Sequence, residues 1–188
     1  MKDTEIAGQA VIGCIQNARQ FLNSSKALIQ SGHYRESYLL SLYAGEELGK
    51  VLLVINYPCY TESEERIRTW KKRFLDHTEK FWFLRNIEEI ERGIIPTDVH
   101  KDDIKQKDLR LEVCYVDYRD GNFINPRDVT QEEAVTLYER MLITLHAMEE
   151  RHPSVEEAVS AADFLKKLPR DYSVLFEVLK DNGFKTGL

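Results

Sequence analysis

In the stretch TWKKRFLDHTEK, residues 69–80, an arginine and a histidine stand four positions apart, Arg73 and His77. On a regular helix that spacing puts both on one face, with Lys80 three residues further along it. A guanidinium can hold a phosphate and an imidazole can move a proton near neutral pH, so the pair is a workable set for cleaving RNA without a metal. The competing reading is a core histidine. The apolar positions Ile67, Trp70, Phe74, Phe81 and Leu84 advance by threes and fours, and His77 falls in that seam where an apolar residue is expected. On these residues alone both readings stand.

The charge around the pair is uneven. Residues 66–85 carry seven cations, Arg66, Arg68, Lys71, Lys72, Arg73, Lys80 and Arg85, against Asp76 and Glu79, a balance of +5 in a chain of net charge −6. The other 168 residues therefore carry −11. A positive stripe on an acidic body suits local binding of a polyanion, because the rest of the surface repels it; a solvated helix face is the alternative. Lys71, Lys72 and Lys80 are the candidate RNA contacts. A second constellation lies in YAGEELGK, residues 43–50, where Glu46 and Lys50 form an i,i+4 pair and Glu47 lies one position round. Three charges in so apolar a helix require partners, either in an internal ion-pair network or in a site. A carboxylate-bridged di-metal bundle would need two Glu-x-x-His pairs and further glutamates. The chain offers one pair, Glu149 with His152, beside Pro153, so neither a metal nor another cofactor is expected.

The elements that must position these residues are helical. From 6 to 29 the positions Ala7, Val11, Cys14, Ala18, Phe21, Ser25 and Leu28 trace one helix face, and QSGHY supplies a glycine stop. Residues 34–55 are apolar nearly all round, which demands that other helices surround them. NYPCYTES breaks the pattern at Pro58, and Thr61 or Ser63 can cap a third helix that carries the seam through His77 to Leu84. Beyond Gly93 the chain turns polar and aperiodic. LEVCYVDY, bounded by RDGN, reads as a short extended segment and turn. Thr130 opens a fourth helix with the capping-box spacing to Glu133, and shorter helices over 154–168 and 171–180 complete a bundle.

Composition sets the bounds. The chain has 188 residues, 43% hydrophobic and 31% charged, enough for one domain spanning 1–188 with a core of its own. No apolar run reaches the roughly 18 residues of a membrane span, and MKDTEIAGQ has no signal-peptide core, so a cytoplasmic protein with no membrane partner is expected. Cys14, Cys59 and Cys114 are odd in number and widely separated, which indicates neither a disulfide framework nor a zinc knuckle.

Three separated blocks, ESYLLSLYAGEELGKVLL (residues 36–53), FLDHTEKF (74–81) and RLEVCYVDYRDGNFINP (110–126), resemble in order and spacing the AbiV-type abortive-infection family of the HEPN superfamily. The resemblance implies an all-α, compact HEPN-like bundle of about five to six helices, with a long loop and short extended insertion around 92–128. It also implies a metal-independent endoribonuclease, dimeric as many of its kin are, acting in defence against bacteriophage. RNA is then the substrate and a phage-encoded protein the candidate trigger. The family motif is an arginine, four to six residues, then a histidine. His77 takes the place of that histidine. Arg73 precedes it by only three intervening residues, whereas Lys72 has the motif's shortest spacing and the wrong side chain; Arg110 is the reserve. Glu46 or Glu47, with Lys50, would support the site from the neighbouring helix. A non-catalytic HEPN-like module that binds a protein or RNA partner is the alternative function.

Overall fold

The structure, a computed structural model, describes residues 2–91, 94–95, 113–114, 117–119, 122–167 and 185–186, and among these six long helices dominate. Helices α1 (Asp3–Gln30) and α2 (Tyr34–Ile55) form a hairpin. Gly32 makes its turn at φ 77, a left-handed conformation that side-chain-bearing residues avoid, and the His33 amide donates to the Leu28 carbonyl at 2.9 Å to close α1. Along the predicted stripe of α1, Ala7, Val11, Cys14, Ala18 and Ser25 are buried, while Phe21 and Leu28 are partly so. Ser25 is the polar member, and its hydroxyl is satisfied inside the hairpin, 2.8 Å from that of Ser37 and 2.9 Å from that of Ser41.

Helix α2 is the centre of the bundle. Its apolar circumference packs against α1, α4 (His77–Glu91) and α5 (Gln131–Arg151), as a helix with no polar face must. Leu42, Leu48, Phe81, Leu84, Ile87, Met141, Leu145 and Met148 form the middle of one continuous core. After α2, Pro58 sits in a single tight turn, Tyr57–Cys59, and Ser63 caps α3 (Glu64–Leu75) by accepting the Arg66 amide at 3.3 Å. Helix α3 contributes no fully buried residue. It leans on the bundle through the rings of Tyr57, Trp70 and Phe74, with successive centroids 4.8 and 4.9 Å apart, and through the Trp70 indole N–H, which donates to the Leu53 carbonyl at 2.8 Å.

The seam through Ile67, Phe74 and Leu84 predicts one helix, but the structure has two. Asp76 leaves the helical conformation at φ −78, ψ 123, and its carboxylate accepts the Thr78 amide at 2.8 Å. An aspartate in that place satisfies an amide that the first turn of α4 would otherwise leave unpaired. His77 is therefore the first residue of α4 rather than a mid-helix seam residue, and regular i,i+4 geometry does not join it to Arg73.

Helix α5 opens as its spacing predicts. The Thr130 amide donates to the Glu133 carboxylate at 2.8 Å and the Glu133 amide to the Thr130 hydroxyl at 3.2 Å, and α6 (Val155–Lys167) follows. Strand β1 (Ile94–Ile95) runs parallel to β4 (Lys185–Thr186), while β2 (Asp117–Arg119) pairs antiparallel with β3 (Asn122–Ile124), Tyr118 opposite Phe123. These strands are too short to alter the all-α class. Of the extended segment expected over 111–118, Asp117 and Tyr118 lie in β2, whereas Val113 and Cys114 are helical and Val113 is buried in the core; packing overrides β-propensity there. The helix expected over 171–180 and most of the irregular stretch after residue 92 lie outside the described residues. Among the described residues no helix is long and apolar enough to cross a membrane.

Candidate active site

The site begins with a glycine. A Cβ on Gly49 would lie 2.0 Å from the Lys80 carbonyl oxygen and 2.8 Å from its carbon, so only glycine lets the α2 backbone rest on the first turn of α4. Gly45, one turn earlier, faces Met141 Sδ and Leu84 Cδ2 at 2.9 and 3.1 Å from the same construction. Between these glycines stands Glu46, and the close approach carries its carboxylate to α4.

Glu46 Oε2 lies 2.7 Å from His77 Nδ1 and 3.9 Å from Lys80 Nζ. The Glu46 and Lys80 side chains are 7% and 8% exposed, whereas 35% of His77 reaches solvent. An ionised carboxylate can only accept, so His77 donates from Nδ1, and in the neutral form of the ring the lone pair lies on Nε2. A ring bound to a buried carboxylate with part of its surface open differs from a histidine enclosed within a core.

Lys80 corrects the sequence reading. Expected on the RNA-facing stripe, it is buried, because the break at Asp76 turns the first residues of α4 inward toward Glu46. Lys50, expected to pair with Glu46, bonds Glu47, whose other oxygen accepts from the Asn17 amide nitrogen at 3.5 Å. The Lys50 and Lys80 ammonium groups lie 5.8 and 6.0 Å from the centroid of the Phe74 ring, whose π-face favours cations. Nearby, burial pushes the Cys14 thiol up to about 12, with the Glu47 charge adding and Lys50 opposing, so this cysteine is an inert part of the core.

Arg73 is clamped across the helix break. Its Nε and Nη2 donate to Glu79 Oε2 at 3.1 and 2.9 Å, and its Nη1 donates to the Tyr60 hydroxyl at 2.9 Å. The guanidinium also lies 5.2 Å from the Phe83 ring centroid. Burial alone would weaken its hold on the proton, but the bond to Glu79, that carboxylate's charge and the Tyr60 hydroxyl outweigh it, so the pKa rises above the ordinary arginine value. Arg73 thus stands as a permanent cation tied to the same α4 turn as His77.

The remaining predicted residues separate. Arg68, Lys71 and Lys72 are exposed on α3 and unpaired among the described residues. Arg66 bonds Glu62 at 2.8 Å and Arg85 bonds Glu89 at 2.8 Å. Arg110 lies outside the described residues. Glu149 pairs with Arg19, and among the described residues no group of three or more His, Cys, Asp or Glu is placed to hold a metal ion. Sequence reasoning missed Tyr60, Glu79 and Gly49. Gly49 left a signal in the pair of glycines four apart in an otherwise bulky helix, and Glu79 in its capping-box spacing to Asp76; Tyr60 left none.

The helices form a HEPN-like bundle, with the buried Glu46 of its central helix set against His77 at the start of α4. The chain belongs to the AbiV family, whose family model, HEPN_AbiV, matches residues 9–142 and so spans Glu46, Arg73, His77 and Lys80. No curated protein and no solved structure matches the chain significantly.

Proposed function

We propose that this AbiV-family protein is a metal-independent endoribonuclease acting in the cytoplasm, in abortive-infection defence against bacteriophage. The observation that carries the reading is the Glu46–His77 pair: Nδ1 is held at 2.7 Å by a buried carboxylate while 35% of the histidine side chain stays open. His77 Nε2 takes the proton of a ribose 2′-OH, the 2′-oxygen attacks the adjacent phosphorus, and the 5′-oxygen departs and takes up a proton. Arg73 and Lys72 stabilise the charge that gathers on the phosphoryl oxygens. The products end in a 2′,3′-cyclic phosphate and a 5′-hydroxyl, and DNA, lacking the 2′-OH, is resistant. Lys71 and Lys72 draw the RNA in, two copies of the chain pair over the 66–85 face to build a cleft, and a phage-encoded protein is the trigger.

One observation favours the second reading, a HEPN-like module that binds a protein or RNA partner without cleaving it: Arg73 is already engaged by Glu79 and Tyr60. Incubating the purified protein with RNA and with DNA in excess chelator separates the two. The endoribonuclease yields cyclic-phosphate ends from RNA alone; intact RNA at high protein concentration, with and without extract of phage-infected cells, establishes the binding module instead.

A further inference from the structure

We propose that Lys80 is a positioning residue for this site, acting through Glu46 on His77 and not on RNA; the inference rests on the reading of His77 as the proton-transfer residue. His77 and Lys80 stand three residues apart in the first turn of α4, so their side chains lie together, and both reach the same oxygen, Glu46 Oε2, at 2.7 and 3.9 Å. A carboxylate as deeply buried as Glu46 stays ionised only beside a compensating cation. A neutral His77, the form able to accept a proton, supplies no such charge. Lys80 does, at all stages of the proton cycle, so Glu46 remains a pure acceptor and keeps the ring proton on Nδ1. Among the described residues, Lys50 bonds Glu47, Arg73 bonds Glu79, and Asp76 accepts the Thr78 amide. Gly49 fixes the position of Lys80, because the α2 backbone rests on the Lys80 carbonyl. The charge that the sequence places in an RNA-binding stripe is thereby turned into part of the histidine's support, the role that outer hydrogen-bond partners have at metal-bound histidines.

Histidine-ring nitrogen NMR at neutral pH tests this without recourse to cleavage. The wild-type His77 ring carries its proton on Nδ1; in Lys80→Met the proton moves largely to Nε2, and Lys80→Arg restores it to Nδ1. An unchanged Nδ1–H ring in folded Lys80→Met overturns the proposal. With RNA as substrate, Lys80→Met lowers kcat by about 10- to 100-fold while KM and its salt dependence hold. A raised KM with a flattened salt slope overturns the proposal in favour of a phosphate contact. Should Lys80→Met not fold, the double variant Glu46→Gln/Lys80→Met, which removes both charges, folds if Lys80 balances Glu46, and its failure to fold overturns the proposal. If the wild-type protein leaves RNA intact while the ring proton still follows residue 80, the ribonuclease reading fails and the role of Lys80 stands.

Discussion

Lysines from a single charged run end in opposite environments on the two sides of one helix break. On α3, Lys71 and Lys72 are exposed to solvent with Arg68, on a helix that buries no residue of its own. That helix ends at Leu75, itself 73% exposed, and the chain breaks at Asp76. In the first turn of α4, on the far side of the break, Lys80 is buried against Glu46. The difference teaches that net charge along a run does not say what its charges do. A solvated lysine acts at a distance on whatever anion approaches, whereas a buried one acts on the groups packed beside it.

The comparison can be broken at its hinge. Gly49→Ala should have the largest effect, lowering stability by about 1–3 kcal/mol despite the better helix propensity of alanine, because the added carbon meets backbone that cannot turn aside. Gly13→Ala, with open space around the new carbon, is the control and should be neutral or stabilising in the same thermal melt. Arg73→Lys comes next. A lysine cannot hold Glu79 and Tyr60 together, so cleavage should drop roughly tenfold or more, and wild-type turnover in that variant would make Arg73 a plain surface cation. Charge reversal at Lys71 or Lys72 should leave the melt unchanged while weakening RNA association and flattening its salt dependence; an unaltered slope returns the α3 face to a merely solvated one.

The smallest effect lies away from both sides of the break. Burial, with the charge of Arg151 adding and Glu157 opposing, holds the His152 pKa below its ordinary value. The folded state therefore resists a proton that the unfolded chain accepts. The stabilisation is present above about pH 6.5 and is lost as the pH falls through the folded value. Urea midpoints at pH 7.5 and 5.5 should differ less in His152→Gln than in the wild-type protein.

Much of this architecture is legible in the sequence, and the parts that are not have physical causes. The α1 stripe, the enclosed α2 and the Thr130 capping box each rest on a local pattern that packing reinforces. The break at Asp76 is also written there, since Asp76 and Glu79 have the spacing of a capping box, but the apolar seam from Ile67 to Leu84 runs through it in register and hides it. Glu46 beside His77 could be anticipated only as one of two adjacent glutamates. Which of them faces α4 depends on how closely two helices approach, and that is set by the missing side chain of Gly49.

The central claim is that His77, held by Glu46, moves a proton and does not hold the fold together. Cleavage rate and thermal midpoint measured on one preparation of His77→Ala test it most directly. The account predicts cleavage reduced by roughly 10²- to 10⁴-fold with the midpoint little changed. Full cleavage in the folded variant, or a loss of activity matched by a stability loss of about 1–3 kcal/mol, would contradict it.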